Sequence, residues 1–467
     1  MGSTRYSLAW LVAGLCAAVL LPTLFMRGMF FDGVMYANLS MNFAGGESTF
    51  WEPKCTNTFY AVCHEQPPLF FMLQGAFFYV LGNSFLTERI YDLTAALLSA
   101  WLLLRVMKAT GFGPSGWMAV LCWMMMPVTY WAFNNNVIEG TLGVFTLAAM
   151  LHLLRALHEG KSEMRHLLMA GVWIAAAGLT KGVQGMFLLA GPGLWWLIVR
   201  RTTLVAALRQ TALVLVVPLA TVAFCWFNEA AHRSFAAYFE HRLASTFAGL
   251  NSTGHGRFHQ LYELLLNVLP VMGIAALLFL LMRKKAQQPA AGSLRLAAFM
   301  LAGGLSGILP LMVTLEQRGF YLVTALPLVA IAFALVLHPY TTALHTWLAQ
   351  RIAANRIVAA AGIILLAGAV AASALFAGSY KRDEQKLRDL EAAAEIIPPG
   401  SIIGRSPGSV DWSLVHNAWR HYRISVALSE TPAPEWLLLP RGQQAPTGYK
   451  VVNRGLKEME LWHRERQ

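Results

Sequence analysis

Apolar runs about as long as a membrane-spanning helix alternate with short polar loops through the first 379 residues. A helix that crosses the hydrocarbon core needs about 20 predominantly apolar residues. The pattern predicts eleven spans, over residues 8–26, 88–107, 116–133, 138–157, 166–179, 185–199, 204–227, 261–282, 296–314, 320–337 and 357–377. Residues 68–81 are apolar but shorter, so we interpret them as a juxtamembrane or re-entrant helix in the first outside loop.

The composition also indicates a membrane protein. Of 467 residues, 57% are hydrophobic and only 13% are charged, and one soluble core cannot bury that much apolar surface. The net charge of +12 comes largely from Lys and Arg in alternate loops, which is the pattern of cytoplasmic loops. We expect an all-α polytopic membrane protein with its N-terminus inside, and we attribute the positive charge to topology and not to nucleic-acid binding.

Two domains are expected. Residues 1–379 form the membrane domain, whose long outside loops cover 32–87 and 228–260, and loops of such length are usually functional. Residues 380–467 begin with a charged helical stretch that ends at Pro398-Pro399-Gly400. Short apolar runs follow, which predicts a small extracytoplasmic α/β domain. The first apolar run lacks a small-residue cleavage site, so we expect it to remain as a membrane anchor.

Four charged residues lie at the outer edge of the membrane domain, where charge is costly and commonly functional. Asp32 follows the first span, Glu139 begins the fourth, Lys181 lies in a Thr-Lys-Gly turn, and Arg318 precedes Tyr321. A carboxylate there suits a general base, and cations suit a phosphate. Helix capping is the alternative for the two acids. Snorkelling is the alternative for Lys181, and interfacial anchoring is the alternative for Arg318 and Tyr321.

Other polar groups of the outside loops leave their roles open. Asn136 ends a run of three asparagines that suits either helix capping or hydrogen bonds to a sugar or phosphate. Glu65 and His255, with neighbouring histidines, are candidates for a zinc site. Cys55 and Cys63 lie eight positions apart in the first outside loop, where either a disulfide or two unrelated thiols would fit.

Five motifs carry a resemblance to a known family. They are Asp32, the HEQPPL motif at 64–69, Glu139, Thr180-Lys181-Gly182, and Arg318 with Tyr321 and Pro327. In this order they resemble the GT-C polyprenyl-phosphate-sugar glycosyltransferases, particularly the family of the lipid A aminoarabinose transferase and the protein O-mannosyltransferases. The resemblance covers most of residues 1–330. Two positions depart from the family pattern, because Gln66 replaces a Lys of the Pro-Pro motif and Glu139 replaces an Asp.

The resemblance implies roles for individual residues. The catalytic residues would be Asp32 and Glu139, the donor phosphate would be held by Lys181, Arg257, Arg318 and Tyr321, and a zinc ion would be bound by Glu65 and His255. Arg257 is expected to supply the phosphate contact that Gln66 no longer makes. The implied location is the inner membrane of the cell envelope, with the active site on the periplasmic face.

The implied reaction moves a sugar from a polyprenyl-phosphate-linked donor to a lipid, polysaccharide or protein acceptor, as in lipid A modification. Displacement at the anomeric carbon would invert its configuration, and no nucleotide cofactor is expected. Membrane lipids are the other expected partners. The alternative is a lipid or sugar transporter or flippase, with Lys181 and Arg318 along its pathway, but the repeated halves common in such folds are not found in the sequence.

Overall fold

The computed structural model describes residues 2–250, 252–406, 410–428, 434–453 and 455–465. Its membrane domain is helical, which confirms the predicted fold class. The helices are α1 Gly2–Leu20, α2 Phe31–Ala44, α3 Leu69–Leu81, α4 Thr87–Ala109, α5 Gly116–Met124, α6 Pro127–Phe133, α7 Ile138–Leu157, α8 Glu163–Lys181, α9 Gly191–Ile198, α10 Leu204–Phe227, α11 Glu229–Ala237, α12 Ser245–Phe247, α13 His259–Met282, α14 Ala291–Ile308, α15 Leu326–Val336, α16 His338–Ala349 and α17 Ile352–Leu375. Between them lie 3₁₀ segments at Gly182–Ala190, Leu309–Val313 and Gly319–Thr324, and a π-helical turn at Tyr238–Ala244.

The number of membrane spans is close to the expected eleven. Within the described residues, seven helices are long and apolar enough to cross a membrane, or nine if each of two bent pairs is one span. The bent pairs cover 113–133 and 326–349. α1 is shorter and ends at Leu20, six residues before its expected end, because Pro22 disfavours helical backbone in the residue before it.

The helical run from residue 163 to 198 counts as one span by length, but its chain reverses direction at Lys181 and Gly182. A Cβ added to Gly178 would lie 3.4 Å from Cγ of Met186. In a continuous helix, residues eight positions apart are separated by about 12 Å along the axis. The run therefore forms two antiparallel arms, and Lys181 lies at the turn between them. Gly182 has a φ of 63°, a conformation that glycine adopts without steric cost.

The helices of the membrane domain bury one continuous apolar core. α4, α5, α7, α14 and α15 contribute most of its fully buried side chains. α1 packs along α17, and the two backbones approach closely at Gly14 and Gly362, where an added Cβ would collide with the facing backbone. Small residues at such contacts allow helices in a membrane to pack tightly.

The C-terminal region is a small α/β unit, as the sequence predicted. It contains α18 Glu384–Ala394, α19 Trp412–Tyr422 and the strands β1 Ile402–Gly404, β2 Ser425–Val426, β3 Trp436–Pro440, β4 Tyr449–Asn453 and β5 Met459–Arg464. The sheet order is β2-β1-β3-β5-β4. β1 is parallel to β2 and β3, whereas β5 is antiparallel to β3 and β4.

The C-terminal unit packs on the first outside loop. Nε1 of Trp419 donates to Oδ1 of Asn42 at 3.1 Å, so α19 lies against α2. Arg420 forms an ion pair with Glu88 at 2.8 Å, and both side chains are almost fully buried. Removing one member of such a pair leaves a buried charge without its partner, which costs about 3–5 kcal/mol. This pair therefore fixes the C-terminal unit on the start of α4.

Of the two alternatives left open for Cys55 and Cys63, the structure shows the free thiols and not the disulfide. Both cysteines are free thiols, and they are buried in the same small apolar cluster beneath the first outside loop. Sγ of Cys55 lies 3.6 Å from Nδ1 of His416, so this thiol contacts α19 of the C-terminal unit.

Candidate functional site

The asparagine run before α7 holds the first turn of α2 in place. Oδ1 of Asn135 accepts a hydrogen bond from the backbone N–H of Phe30 at 3.0 Å. Nδ2 of Asn136 donates to the carbonyl of Gly33 at 2.7 Å, and its Oδ1 accepts from Gln74 at 2.5 Å. Asn136 is buried with a φ of 53°. The side-chain groups of Asn136 are thus committed to positioning the turn that carries Asp32.

Asp32 is not the helix cap that was the alternative to catalysis. α2 begins at Phe31, and no side-chain hydrogen bond caps it. Among the residues that the structure describes, none forms a hydrogen bond or ion pair with the Asp32 carboxylate. α2 lies outside the candidate spans. Burial raises the pKa of Asp32 to about 6; nearby Glu139 adds to the rise, whereas Arg318 and Lys181 oppose it. An unpaired carboxylate that titrates near neutrality suits a general base.

Glu139 and Lys181 form a buried ion pair on the side of the site formed by α7 and α8. The Lys181 ammonium donates to Oε1 of Glu139, and the two side chains are 0% and 6% exposed. Oε2 of Glu139 is buried without a hydrogen-bond partner among the described residues. The ammonium also lies 4.3 Å from the ring centroid of Tyr321 and 5.8 Å from that of Phe320. The charge of Lys181 is therefore fixed between a carboxylate and aromatic faces.

A second network lies next to Lys181, and only Tyr321 among its members was predicted to bind the phosphate. Arg242 donates to Oε1 of Glu316 at 2.5 Å, and the hydroxyl of Tyr321 donates to the same oxygen at 2.7 Å. Thr246 donates to Oε2 at 3.1 Å. Burial raises the pKa of Glu316, but Arg242 and these hydrogen bonds outweigh it and hold the pKa below its usual value. Glu316 stands two residues before Arg318 in the sequence motif, which was the available signal.

These groups line one end of a cavity of about 440 Å³. Its polar wall contains Gln66, Lys181, Arg242, Glu316 and Tyr321. The remaining wall is mostly apolar and includes Met186, Phe187, Leu189, Leu243, Phe247, Pro310 and Leu311. An apolar groove of about 210 Å³ adjoins it and shares Val183, Met186 and Tyr238 with it. Cations at one end and apolar walls at the other fit an amphipathic molecule with an anionic head.

Arg318 and Arg257, the other two predicted phosphate-binding residues, do not line this cavity. Arg318 is exposed, and its carbonyl accepts from Gln260 at 2.9 Å, while its charge acts on Asp32. Arg257 is exposed near the start of α13 and does not line the cavity. The proposed replacement of the lost Lys contact by Arg257 therefore receives no geometric support, whereas Arg242 lies on the cavity wall.

The residues present do not fit the expected zinc site. Glu65 accepts a hydrogen bond from the Tyr60 hydroxyl at 2.7 Å. His255 is exposed, and its ring stacks on that of His259 with centroids 4.0 Å apart. In the described part of the chain, no three His, Cys, Asp or Glu residues come together in a way that could hold a metal ion. Zinc sites in proteins ordinarily need at least three such ligands.

The fold and the site together define a polytopic helical membrane protein with a small C-terminal α/β unit, and comparison with known proteins shows what it resembles. Residues 65–226 match the family model described as dolichyl-phosphate-mannose-protein mannosyltransferase. The motif resemblance drawn from the sequence is thereby confirmed for this part of the chain. A search of curated proteins found no significant match.

Among solved structures, the protein is similar to ArnT from Cupriavidus metallidurans bound to undecaprenyl phosphate. The match covers 97% of this chain and 97% of that chain, with a TM-score of 0.69 and 15% sequence identity. It is also similar to the oligosaccharyltransferase AglB from Archaeoglobus fulgidus in complex with an inhibitory peptide and a dolichol-phosphate. That match covers 93% of this chain and 69% of the other, with a TM-score of 0.53 and 14% identity. A structure of the Archaeoglobus fulgidus enzyme with Zn and sulfate matches over 92% and 68% of the two chains, with a TM-score of 0.53 and 13% identity.

Proposed function

We propose that this protein is a glycosyltransferase that moves a sugar from a polyprenyl-phosphate-linked donor to an acceptor at the outer face of the membrane. The observation that carries the proposal is the position of Asp32, whose carboxylate has no hydrogen-bond partner among the described residues and lies within electrostatic range of Lys181 and Arg318. A base and the cations that favour a phosphate are thus grouped around one site. ArnT and AglB, whose folds are similar, have structures with undecaprenyl phosphate and dolichol-phosphate bound, respectively.

The cavity beside Lys181 accounts for donor binding in this proposal. The donor phosphate lies at the polar end, near Lys181 and Arg242, and the polyprenyl chain follows the apolar wall into the adjoining groove. Tyr321 and Glu316 hold the Arg242 guanidinium in place. Two cations near the phosphate stabilise the negative charge that grows on it as the sugar leaves.

The transfer step is a direct displacement. The acceptor hydroxyl or phosphate oxygen forms the new bond to the anomeric carbon, and the bond from that carbon to the phosphate oxygen breaks. The leaving polyprenyl phosphate takes the electron pair, and an acceptor hydroxyl passes its proton to Asp32. Attack from the side opposite the leaving group inverts the anomeric configuration. Glu139 acts through its ion pair with Lys181, so we assign it a positioning role.

The proposed transfer step uses no metal ion, because Glu65 and His255 do not form a set of zinc ligands with any third residue described. We place the active site on the extracytoplasmic face, since Asp32, Lys181 and Tyr321 lie at the end of the helices opposite the basic loops. The acceptor is a lipid, polysaccharide or protein that reaches this face.

Asp32→Asn tests the proposal. The amide occupies the same volume but cannot accept the proton, so we expect transfer from a polyprenyl-phosphate sugar to fall by at least about 10²-fold, the usual lower range for general-base catalysis. Binding of undecaprenyl phosphate by the purified variant should be retained. The matched control is Glu229→Gln, which removes an exposed carboxylate on α11. Full transfer activity in Asp32→Asn would exclude Asp32 as the base, and undecaprenyl phosphate movement without any sugar-transfer product would favour a flippase.

A further inference from the structure

A separate polar cavity of about 460 Å³ lies between the membrane domain and the C-terminal unit. One wall is formed by the segment before α2 and by the start of α4, and the other by α18 and α19. It shares no lining residue with the cavity beside Lys181. It therefore constitutes a second place where a molecule could bind at the outer surface of the membrane domain.

Three arginines line this cavity, and two of them are paired with carboxylates. Arg420 pairs with Glu88, and Arg27 pairs with Glu391 at 3.2 Å. Arg89 is different, because it donates to the carbonyls of Thr23 at 3.3 Å and Gly28 at 2.9 Å. Within the described residues, no carboxylate forms an ion pair with Arg89, although it is buried. The lining therefore carries more positive than negative charge.

His421 lies where the electrostatic potential of all three arginines is positive. Its side chain is accessible to solvent and lines the cavity, and it forms no hydrogen bond with any described residue. The ring faces the open space of the cavity but is surrounded by protein, and this desolvation lowers the pKa of His421 to about 3; Arg420, Arg27 and Arg89 lower the pKa further. All three arginines thus act on the same point in the cavity. The imidazole is neutral at pH 7 and has a ring nitrogen available to hydrogen-bond a ligand.

We propose that this interdomain cavity is an anion-binding site that receives a phosphate group at the membrane surface. Arg27 is the half-exposed cation that meets the phosphate, and it exchanges part of its contact with Glu391 for the ligand. His421 supplies a hydrogen bond, and the fixed charges of Arg89 and Arg420 make the site electropositive. Guanidinium groups match phosphate oxygens well because they present several N–H donors in one plane.

The location of the cavity is consistent with two sources of the phosphate group. Gly28 and Met29, which line the cavity, follow the outer end of α1, so the cavity lies near the headgroup layer. A lipid headgroup and a soluble phosphate present the same chemistry to the site. A ligand bound there would contact both the membrane domain and the C-terminal unit, and it would strengthen their association by mass action.

Modification of His421 by diethyl pyrocarbonate tests the site in the full chain. The protein is reconstituted in phosphatidylcholine nanodiscs, and the rate of modification of each histidine is measured by peptide mass spectrometry. Inorganic phosphate at ten times its dissociation constant should slow the modification of His421 about ten-fold, because only the unoccupied fraction reacts. Modification of exposed His255 should not change. The same rate of His421 modification is also measured in nanodiscs that contain phosphatidic acid, without inorganic phosphate.

Arg27→Gln tests whether Arg27 binds the phosphate. Its matched control is Arg441→Gln, because Arg441 is exposed and lies after β3. The Arg27–Glu391 pair is partly exposed, so its loss should change stability by no more than about 1 kcal/mol. Protection of His421 should be lost in Arg27→Gln and kept in Arg441→Gln. Protection by phosphatidic acid alone would identify a lipid headgroup, whereas protection by inorganic phosphate as well would identify a site open to solvent.

Two results would overturn the proposal. One is the absence of protection by both inorganic phosphate and phosphatidic acid. The other is equal protection in Arg27→Gln and in the unaltered protein. Neither result depends on sugar transfer, so the proposed enzyme activity is tested independently. In Lys181→Met the donor site loses its cation, and protection of His421 should remain unchanged.

Discussion

Asn136 donates a hydrogen bond from Nδ2 to the carbonyl of Gly33 at 2.7 Å, and Gly33 is the residue that follows Asp32. The bond joins the loop before α7 to the first turn of α2, two elements about one hundred residues apart in sequence. Because Gly33 also packs against the backbone of Asn135, this turn has little freedom to move. The asparagine run therefore fixes the position of the backbone that carries Asp32.

We expect Asn136→Ala to slow transfer with little change in donor KM. Loss of a buried hydrogen bond costs about 1–3 kcal/mol, which corresponds to about 5-fold to 150-fold in rate if the bond acts only in positioning Asp32. Steady-state kinetics with a polyprenyl-phosphate sugar would measure the effect. Asn136→Gly keeps the backbone conformation at φ 53° and should be equally slow. A Gly variant with the full rate would show that only backbone strain, and not the hydrogen bond, had mattered.

Charge balance between Glu139 and Lys181 gives a second prediction. Glu139→Gln leaves the buried Lys181 ammonium with a neutral partner, and breaking a buried ion pair in this way costs about 3–5 kcal/mol. The double variant Glu139→Gln/Lys181→Met has no charge left to bury, so its thermal stability should recover most of the loss. Melting curves of the detergent-solubilised proteins would measure this.

Transfer should behave differently from stability in the same set of variants. Lys181→Met and the double variant should both bind the donor more weakly, measured as the affinity for undecaprenyl phosphate, because each lacks one of the two cations of the donor cavity. If the double variant melted no higher than Glu139→Gln, the pair would not be the source of the instability.

The pH dependence of transfer follows from Asp32. With a pKa of about 6, the carboxylate form that accepts the proton predominates above pH 6. We expect kcat/KM to increase about ten-fold per pH unit below this value and to level off above it. A pH–rate profile between 4.5 and 8 (roughly the range over which the group changes charge) would measure this. A flat profile through pH 6 would contradict the assignment.

Stability should change with pH in the opposite direction. The folded-state pKa of Asp32 is raised above the ordinary value of 3.8, so between these values the folded protein holds a proton that the unfolded chain has released. Stability is therefore lost as the pH rises from 3.8 to about 6, by at most about 3 kcal/mol. Asp32→Asn should remove this contribution. Comparison of its melting temperature with that of the unaltered protein at about pH 4 and about pH 7.5, which lie near the lower end and above the upper end of this range, would measure the difference.

Glu316 is expected to act through Arg242 and Tyr321. Glu316→Gln weakens two charge-assisted hydrogen bonds of about 1.5–3 kcal/mol each, so the guanidinium should lose its fixed position at the cavity wall. We expect the donor KM to rise about ten-fold and kcat to change less, because the phosphate is already charged in the bound donor and Arg242 contacts it there as well as in the transition state. Glu316→Asp should restore part of the affinity. An unchanged KM would remove Glu316 from the donor site.

Several features could be predicted from sequence because they depend on local pattern. The apolar runs gave the helical class, and the two arms that meet at Lys181 were identified by their flanking glycine. The sheet of the C-terminal unit was predicted from short apolar runs. The end of α1 was misplaced because a window of apolar residues continues past Pro22, although the helix does not.

Other features depended on contacts between distant residues. Arg242 was not among the predicted phosphate-binding residues, because sequence spacing cannot show that it meets Glu316, 74 residues further on. Arg257 was preferred for the phosphate on the same loop, but it is exposed. The sequence left helix capping and ligand binding open for the asparagines, and in the structure Asn135 and Asn136 bind the backbone at the start of α2.

The sequence by itself determined that this chain is a polytopic helical membrane protein and which face carries its unusual charges. Apolar length and the distribution of Lys and Arg are properties of local segments in a membrane, so they need no knowledge of tertiary contacts. Tertiary structure alone decided which side chains are free to react. Among the described residues Asp32 has no partner, whereas Lys181 is fixed by Glu139 and Tyr321 and Arg242 by Glu316, because hydrogen-bond partners and burial arise only when separate segments pack together.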